Sequence, residues 1–206
     1  MSNTFSPFGF RPVSTSNGPI NWRVSTRRIA YNAGAIYKGD PVTQASTNGY
    51  ITRASSTNDF AAVISGIFWG CQYLSTSQKR TVWSEYWPGS DATGDVIAYV
   101  IDDPNARFVV QANGSNMVSV GTDSTCTQPV GQLANFTTGS GNTSTGQSGA
   151  YLSGVASTAT WPFIITGMVT NPPGANGTDQ FSNYNYVEVG FNNEWLRGNA
   201  AVTGVS

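Results

Sequence analysis

At 206 residues the chain can bury a full-sized core with no need of a metal or a disulfide framework. Only 10% of it is charged, against about a quarter in an ordinary globular domain. Ten Lys and Arg against eleven Asp and Glu leave a net charge of −1, which is no basic footprint for nucleic acid, and the absence of histidine removes the commonest general base and metal ligand.

The surface must then be built from Ser, Thr, Asn, Gln and Gly, studded with aromatic residues that make up 12% of the chain. Such a surface suits flat, hydrogen-bonded contact with other proteins, and near-neutrality removes the repulsion that keeps copies apart. The composition points to a structural or binding protein with no cofactor, and away from an enzyme. The first residues lack the basic-then-apolar pattern of a secretory leader, and no stretch approaches the roughly 18 apolar residues of a membrane helix.

Residues 1–22 read as an extended arm. Pro7, Pro12 and Pro19 fix φ and remove donors, which favours a strand-like path over a helix. Phe5, Phe8, Phe10 and Trp22 lie along it, and such aromatics need a surface to dock on: either the chain's own domain or a partner. Residues 23–206 read as one β domain. Pro41–Gln44 and Tyr50–Arg53 flank Asn48-Gly49, a strong hairpin signal. The apolar run from Ala61 to Trp69 predicts a strand buried on both faces.

Residues 80–87 alternate, placing Trp83, Glu85 and Trp87 on one face and Val82, Ser84 and Tyr86 on the other. Two further strands, Val96–Ile101 and Arg107–Ala112, bracket Asp102-Asp-Pro-Asn105, which reads as a type I turn. Residues 137–160 are dense in Ser, Thr and Gly and predict a long irregular loop. Trp161–Val169 and Tyr186–Phe191 close the series across the turn Asn171-Pro-Pro-Gly174, with Val187, Val189 and Phe191 inward. No helical period persists for three turns. The expected fold is all-β, a barrel or sandwich (β-tulip-like or jelly-roll-like), with an extended arm and long irregular loops.

Few residues carry chemistry. Asp91-Ala-Thr-Gly-Asp95 is a faint likeness of a calcium loop without its closing Glu, and Asp at turns more simply satisfies its own backbone; no metal is expected. Glu85, Glu188 and Glu194 are the only glutamates, and no spacing selects a glycosidase pair. Cys71 follows an apolar strand and reads as a buried small hydrophobe, while a Cys71–Cys126 bridge stays open. Trp83 and Trp87, one strand repeat apart, offer an exposed pair that could stack on sugar rings. Glycan or receptor binding through exposed Trp and Asn is thus an alternative function.

The order of short segments resembles a family of tailed-phage head decoration (cement) proteins over nearly the whole chain. The resemblance rests on Phe5-Ser-Pro-Phe-Gly-Phe-Arg-Pro12, Ile36-Tyr-Lys-Gly-Asp-Pro-Val42, Ile64-Ser-Gly-Ile67, Tyr99-Val-Ile-Asp-Asp-Pro104 and Phe108-Val-Val-Gln111. It continues through Val130-Gly-Gln-Leu-Ala-Asn135, Thr145-Gly-Gln-Ser148 and Val187-Glu-Val-Gly-Phe-Asn192. The closing Asn192-Asn-Glu-Trp195 departs from the family's Asn-x-His. The resemblance implies a protein on the outer surface of the capsid, commonly a homotrimer, that bridges major capsid protein subunits. The arm residues Phe5, Phe8, Phe10 and Arg11 are then the expected capsid contact, and Trp83, Tyr86 and Trp87 the expected self-interface.

Overall fold

In the computed structural model, residues 3–15, 22–45, 48–55, 63–113, 129–156, 160–169 and 183–195 are described. Twelve strands form among them: β1 Arg11–Thr15, β2 Val24–Ile29, β3 Pro41–Gln44, β4 Ile51–Arg53, β5 Gly66–Leu74, β6 Thr81–Ser84, β7 Val96–Ile101, β8 Ala106–Gln111, β9 Leu133–Thr137, β10 Tyr151–Ala156, β11 Phe163–Met168 and β12 Tyr186–Phe191. There is no helix among the described residues. One antiparallel sheet runs β1-β8-β12-β11-β9-β10; the other runs β2-β7-β5-β3-β4, with β6 also pairing β5.

The two sheets pack together as a sandwich. A single parallel bridge, Ala112 to Leu152, draws the β10 edge toward the end of β8, but no ladder forms there and the barrel alternative is set aside.

Alternation decides which side chains go inward. In β12, Val187 and Val189 are buried with Glu188 between them; in β8, Ala106, Phe108 and Val110 are buried with Arg107 and Val109 at the margin. Five phenylalanines meet in the first core: Phe10 stacks on Phe163 at 4.4 Å, Phe108 meets Phe191 at 5.2 Å, and Phe136 stands edge-on to Phe163 at 5.9 Å. Ile67 and Ile101 reach into this cluster from the second sheet, and Ile64 from the segment just before β5, so the sheets share it. A second cluster, with Ile36, Phe68, Trp87 and Val100, sits on the other side of β5 and β7.

The strand expected over Ala61–Trp69 starts at Gly66 and runs on to Leu74; it is covered on both faces where it starts, which explains the apolar residues there. Gly66 opens it at φ +139°, and a Cβ there would collide with the Ile101 carbonyl, so only glycine lets β5 lie this close to β7. The Pro104 turn forms as expected, with the Ala106 amide donating to the Asp103 carbonyl at 2.9 Å. The strands it joins, however, belong to different sheets.

Two expectations are corrected. Residues 137–160 are not one irregular loop, because Tyr151–Ala156 pairs with β9 as β10. Nor does the strand expected at 80–87 continue to its end: β6 stops at Ser84. The Asn171–Gly174 turn lies outside the described residues.

Candidate interaction surfaces

The arm is docked on its own domain. Phe10 is 1% exposed and belongs to the first core, while β1 pairs with β8 as the outer strand of the first sheet. Backbone bonds stitch the approach: Gly9 donates to the Ala150 carbonyl and Phe10 to the Gly39 carbonyl. Gln111, fully buried on β8, holds the segment from inside. Its Nε2 donates to the Thr4 carbonyl at 2.8 Å, and its Oε1 accepts the Ser6 amide at 2.8 Å. Phe8 leans on Tyr186 and carries the Arg11 guanidinium over its ring at 4.4 Å. Phe5 meets Tyr151 and Tyr184 yet stays 39% exposed. Phe10 therefore leaves the expected capsid contact, because a core side chain has no free face to offer. Residues 16–21, the rest of the arm before Trp22, lie outside the described residues.

The expected self-interface is split by a bend. After Ser84 the chain turns, and Trp87 enters the second core fully buried, its indole donating to the Ala33 carbonyl at 3.1 Å. A two-residue period no longer applies across Glu85 and Tyr86, so Trp83 and Trp87 do not share a face. Tyr86 is half-buried and stacks on Tyr37 at 5.6 Å. Trp83 remains outside, 64% exposed, and stacks on Tyr99 of β7 at 4.4 Å.

Strand register then builds a patch that sequence spacing alone did not assemble. Trp83 lies opposite Gln72, Gln72 opposite Ile97, and Ile97 opposite Arg28, one row across β6, β5, β7 and β2. Leu74 and Ile97 are both exposed on it, and the Tyr99 hydroxyl donates to Gln72 at 3.3 Å. Val96–Ile101 is apolar at every position, so its sequence carried no signal for which residues face out; the sheet sets the alternating burial of β7.

The acids act within the fold. Asp91 accepts the Ser75 hydroxyl at 2.6 Å, the Ser77 amide at 2.9 Å and the Thr76 hydroxyl at 2.9 Å, and the Ser75 bond leads in holding its carboxyl far below the ordinary range. It ties the Ser75–Ser77 turn, as a turn acid should. Asp102 is buried between Arg23 and Arg27. Glu85 pairs with Lys38 and Glu188 with Arg107. Among the described residues no three acids or thiols gather closely enough to hold a metal.

Cys71 is a free, buried thiol whose Sγ–H donates to the Tyr86 carbonyl, and burial pushes its pKa up to about 12. The native protein is therefore expected to leave Cys71 unalkylated by iodoacetamide at pH 8 and to label it fully in denaturant, read by peptide mass spectrometry. Rapid native labelling at Cys71 would refute this burial. Cys126, the other half of the possible bridge, lies outside the described residues.

Asp40 is the polar hub. Fully buried after the Tyr37–Lys38–Gly39 turn, it binds Arg53 at 2.8 Å, the Ser148 hydroxyl at 2.6 Å and the Tyr37 amide at 2.8 Å. Burial pushes its carboxyl upward, and Arg53, Ser148 and Tyr37 pull against that without cancelling it. Arg53 reaches on to the Gly139 carbonyl at 2.6 Å, so both ends of the 139–149 loop hang on this pair.

That loop is tightly packed. Cβ atoms on Gly139 and Gly149 would run into the neighbouring backbone carbonyls of Gly149 and Ser140. Its Gly146 carbonyl and Ser148 amide bond Lys38 on both sides. Between this loop and residues 5–8 runs a groove of about 520 Å³. Comparisons with protein-family models, with curated proteins and with solved structures find no match to this chain.

Proposed function

We propose that the protein is a capsid decoration protein that seats on the outer surface of an icosahedral phage head, associates as a homotrimer and braces the shell by bridging major capsid protein subunits. The observation that carries this reading is the patch of exposed Trp83, Ile97 and Leu74 around half-buried Tyr99, set on a chain with only 10% charged residues. An aromatic and aliphatic patch of this kind, bordered by Arg28 at the β2 end of the row, marks an association surface. The resemblance of the ordered series of segments to the cement family supports the same reading.

The patch serves as the self-interface, with Trp83 as its anchor in place of the Trp83, Tyr86 and Trp87 set. Bridging acts mechanically: many modest contacts on a symmetric lattice add through avidity, and no chemical step is required. Residues 3–15 are docked on the domain before any capsid contact is made.

Solution mass and binding to undecorated heads test the reading. The native chain is expected to be a trimer that binds the heads. Trp83→Ala should weaken self-association by about 30-fold or more, the scale of losing one aromatic anchor. Its monomer should keep a melting temperature close to native, since Trp83 is largely solvent-exposed. A native monomer indifferent to heads would overturn the proposal.

A further inference from the structure

We propose that the groove between residues 5–8 and the 139–149 loop is a binding site for a neutral saccharide, a function beyond the decoration reading and independent of it. Its volume of about 520 Å³ falls within the usual range of ligand clefts, roughly 300–1,000 Å³. One wall is aromatic: Phe5, Phe8 and Tyr151. The other is hydroxyl and amide: Ser140, Asn142 and Thr145. No charged side chain lines it, and the Arg11 guanidinium beside it is engaged over the Phe8 ring. Rings beside uncharged donors and acceptors match a sugar, whose C–H face packs on an aromatic ring while its hydroxyls bond side chains.

The polar wall is fixed before any ligand arrives. Asn142 Oδ1 accepts the Ser144 and Thr145 amides at 2.9 and 3.2 Å, which orients its NH2 group; that group has no partner among the described residues. Thr145 Oγ1 accepts the Gln147 amide at 3.4 Å and keeps its proton to donate. The glycine contacts and the Asp40–Arg53 pair hold the loop, so little ordering entropy is lost on binding. Phe5 is likewise wedged between two tyrosines while remaining exposed.

The same rigidity disfavours an extended peptide. Strand addition needs free backbone donors and acceptors. Here the Asn142 amide bonds the Gln147 carbonyl, Gly146 bonds Asn142 and Lys38, Ser148 bonds Lys38, and the Ala150 carbonyl is taken by Gly9. Recognition is left to side chains, as in saccharide sites.

The full chain should be titrated calorimetrically with neutral gluco-, galacto-, manno- and N-acetylglucosamine oligosaccharides, with sialylated and uronic-acid oligosaccharides alongside. Binding to at least one neutral series is expected. Phe5→Ala should weaken it about tenfold, Thr145→Val several-fold, and Trp83→Ala not at all. Thr145→Val keeps the side-chain shape, so it remains informative where Phe5→Ala disturbs the fold. The proposal is overturned by no binding across the neutral panel, by preference for the acidic sugars, or by binding lost in Trp83→Ala and kept in the groove variants. Protection of residues 139–149 from hydrogen exchange by capsid protein, with none by sugar, would likewise overturn it. Head binding is read separately, so either proposal can fail alone.

Discussion

Phe10→Ala is expected to cost about 3–5 kcal/mol of folding free energy, a fifth or more of the roughly 5–15 kcal/mol stability of an ordinary domain. Phe10 stacks on Phe163 at 4.4 Å and stands edge-on to Phe108 and Phe136, so alanine leaves a cavity walled by three rings. The flanking backbone is held by Gly39 and Ala150 and cannot collapse into the space. Urea unfolding should show a lower midpoint with an unchanged slope. Phe5→Ala, at a partly exposed ring, should cost about 1 kcal/mol or less. Equal costs for the two would mean that the arm is not part of the core. Deleting residues 1–22 removes Phe10 and β1 together, bares the edge of β8 and strips Gln111 of the Thr4 and Ser6 partners. Such a truncation tests folding before it tests capsid binding.

Asp40→Ala should be as severe, at about 3–5 kcal/mol, because it strands Arg53 in a largely buried place without its carboxylate. The Ser148 hydroxyl and the Tyr37 amide lose their acceptor in the same step. The distinguishing result is local: hydrogen exchange at Ser148 and Ala150 should quicken more than at β12, since the loop hangs on this pair. Replacing the pair jointly, Asp40→Leu with Arg53→Met, should cost less than Asp40→Ala alone, because no unpaired charge is left behind. A cost below about 1 kcal/mol for Asp40→Ala would show that water makes good the loss, and the loop would then owe its shape to glycine packing.

Both predictions rest on residues whose weight is hidden in the chain. Phe10 lies in a stretch with Pro7 and Pro12, and Asp40 sits in a Gly-Asp-Pro turn, contexts that suggest surface. Strands with a clear local signal were readable directly: Tyr186–Phe191 from its two-residue alternation, the hairpin from Asn48-Gly49 and Val96–Ile101 from an apolar run before the Pro104 turn form where those signals place them. Strands short of that pattern were not. Tyr151–Ala156 is masked by Ser and Gly, and it becomes a strand because β9 lies beside it. Trp87 was misplaced because alternation assumes an unbroken strand, and the bend after Ser84 ends that period.

Local pattern therefore determined the all-β class, the main strands and the low-charge, aromatic character of the surface, because each follows from side-chain period and composition. Tertiary structure decided the partners. It put β7 and β8, one turn apart in the chain, into different sheets; it drew Phe10 into the core; and it set Trp83 beside Tyr99 and Phe5 beside the 139–149 loop. Those juxtapositions depend on sheet register and long-range packing between residues far apart in sequence, which no local window contains.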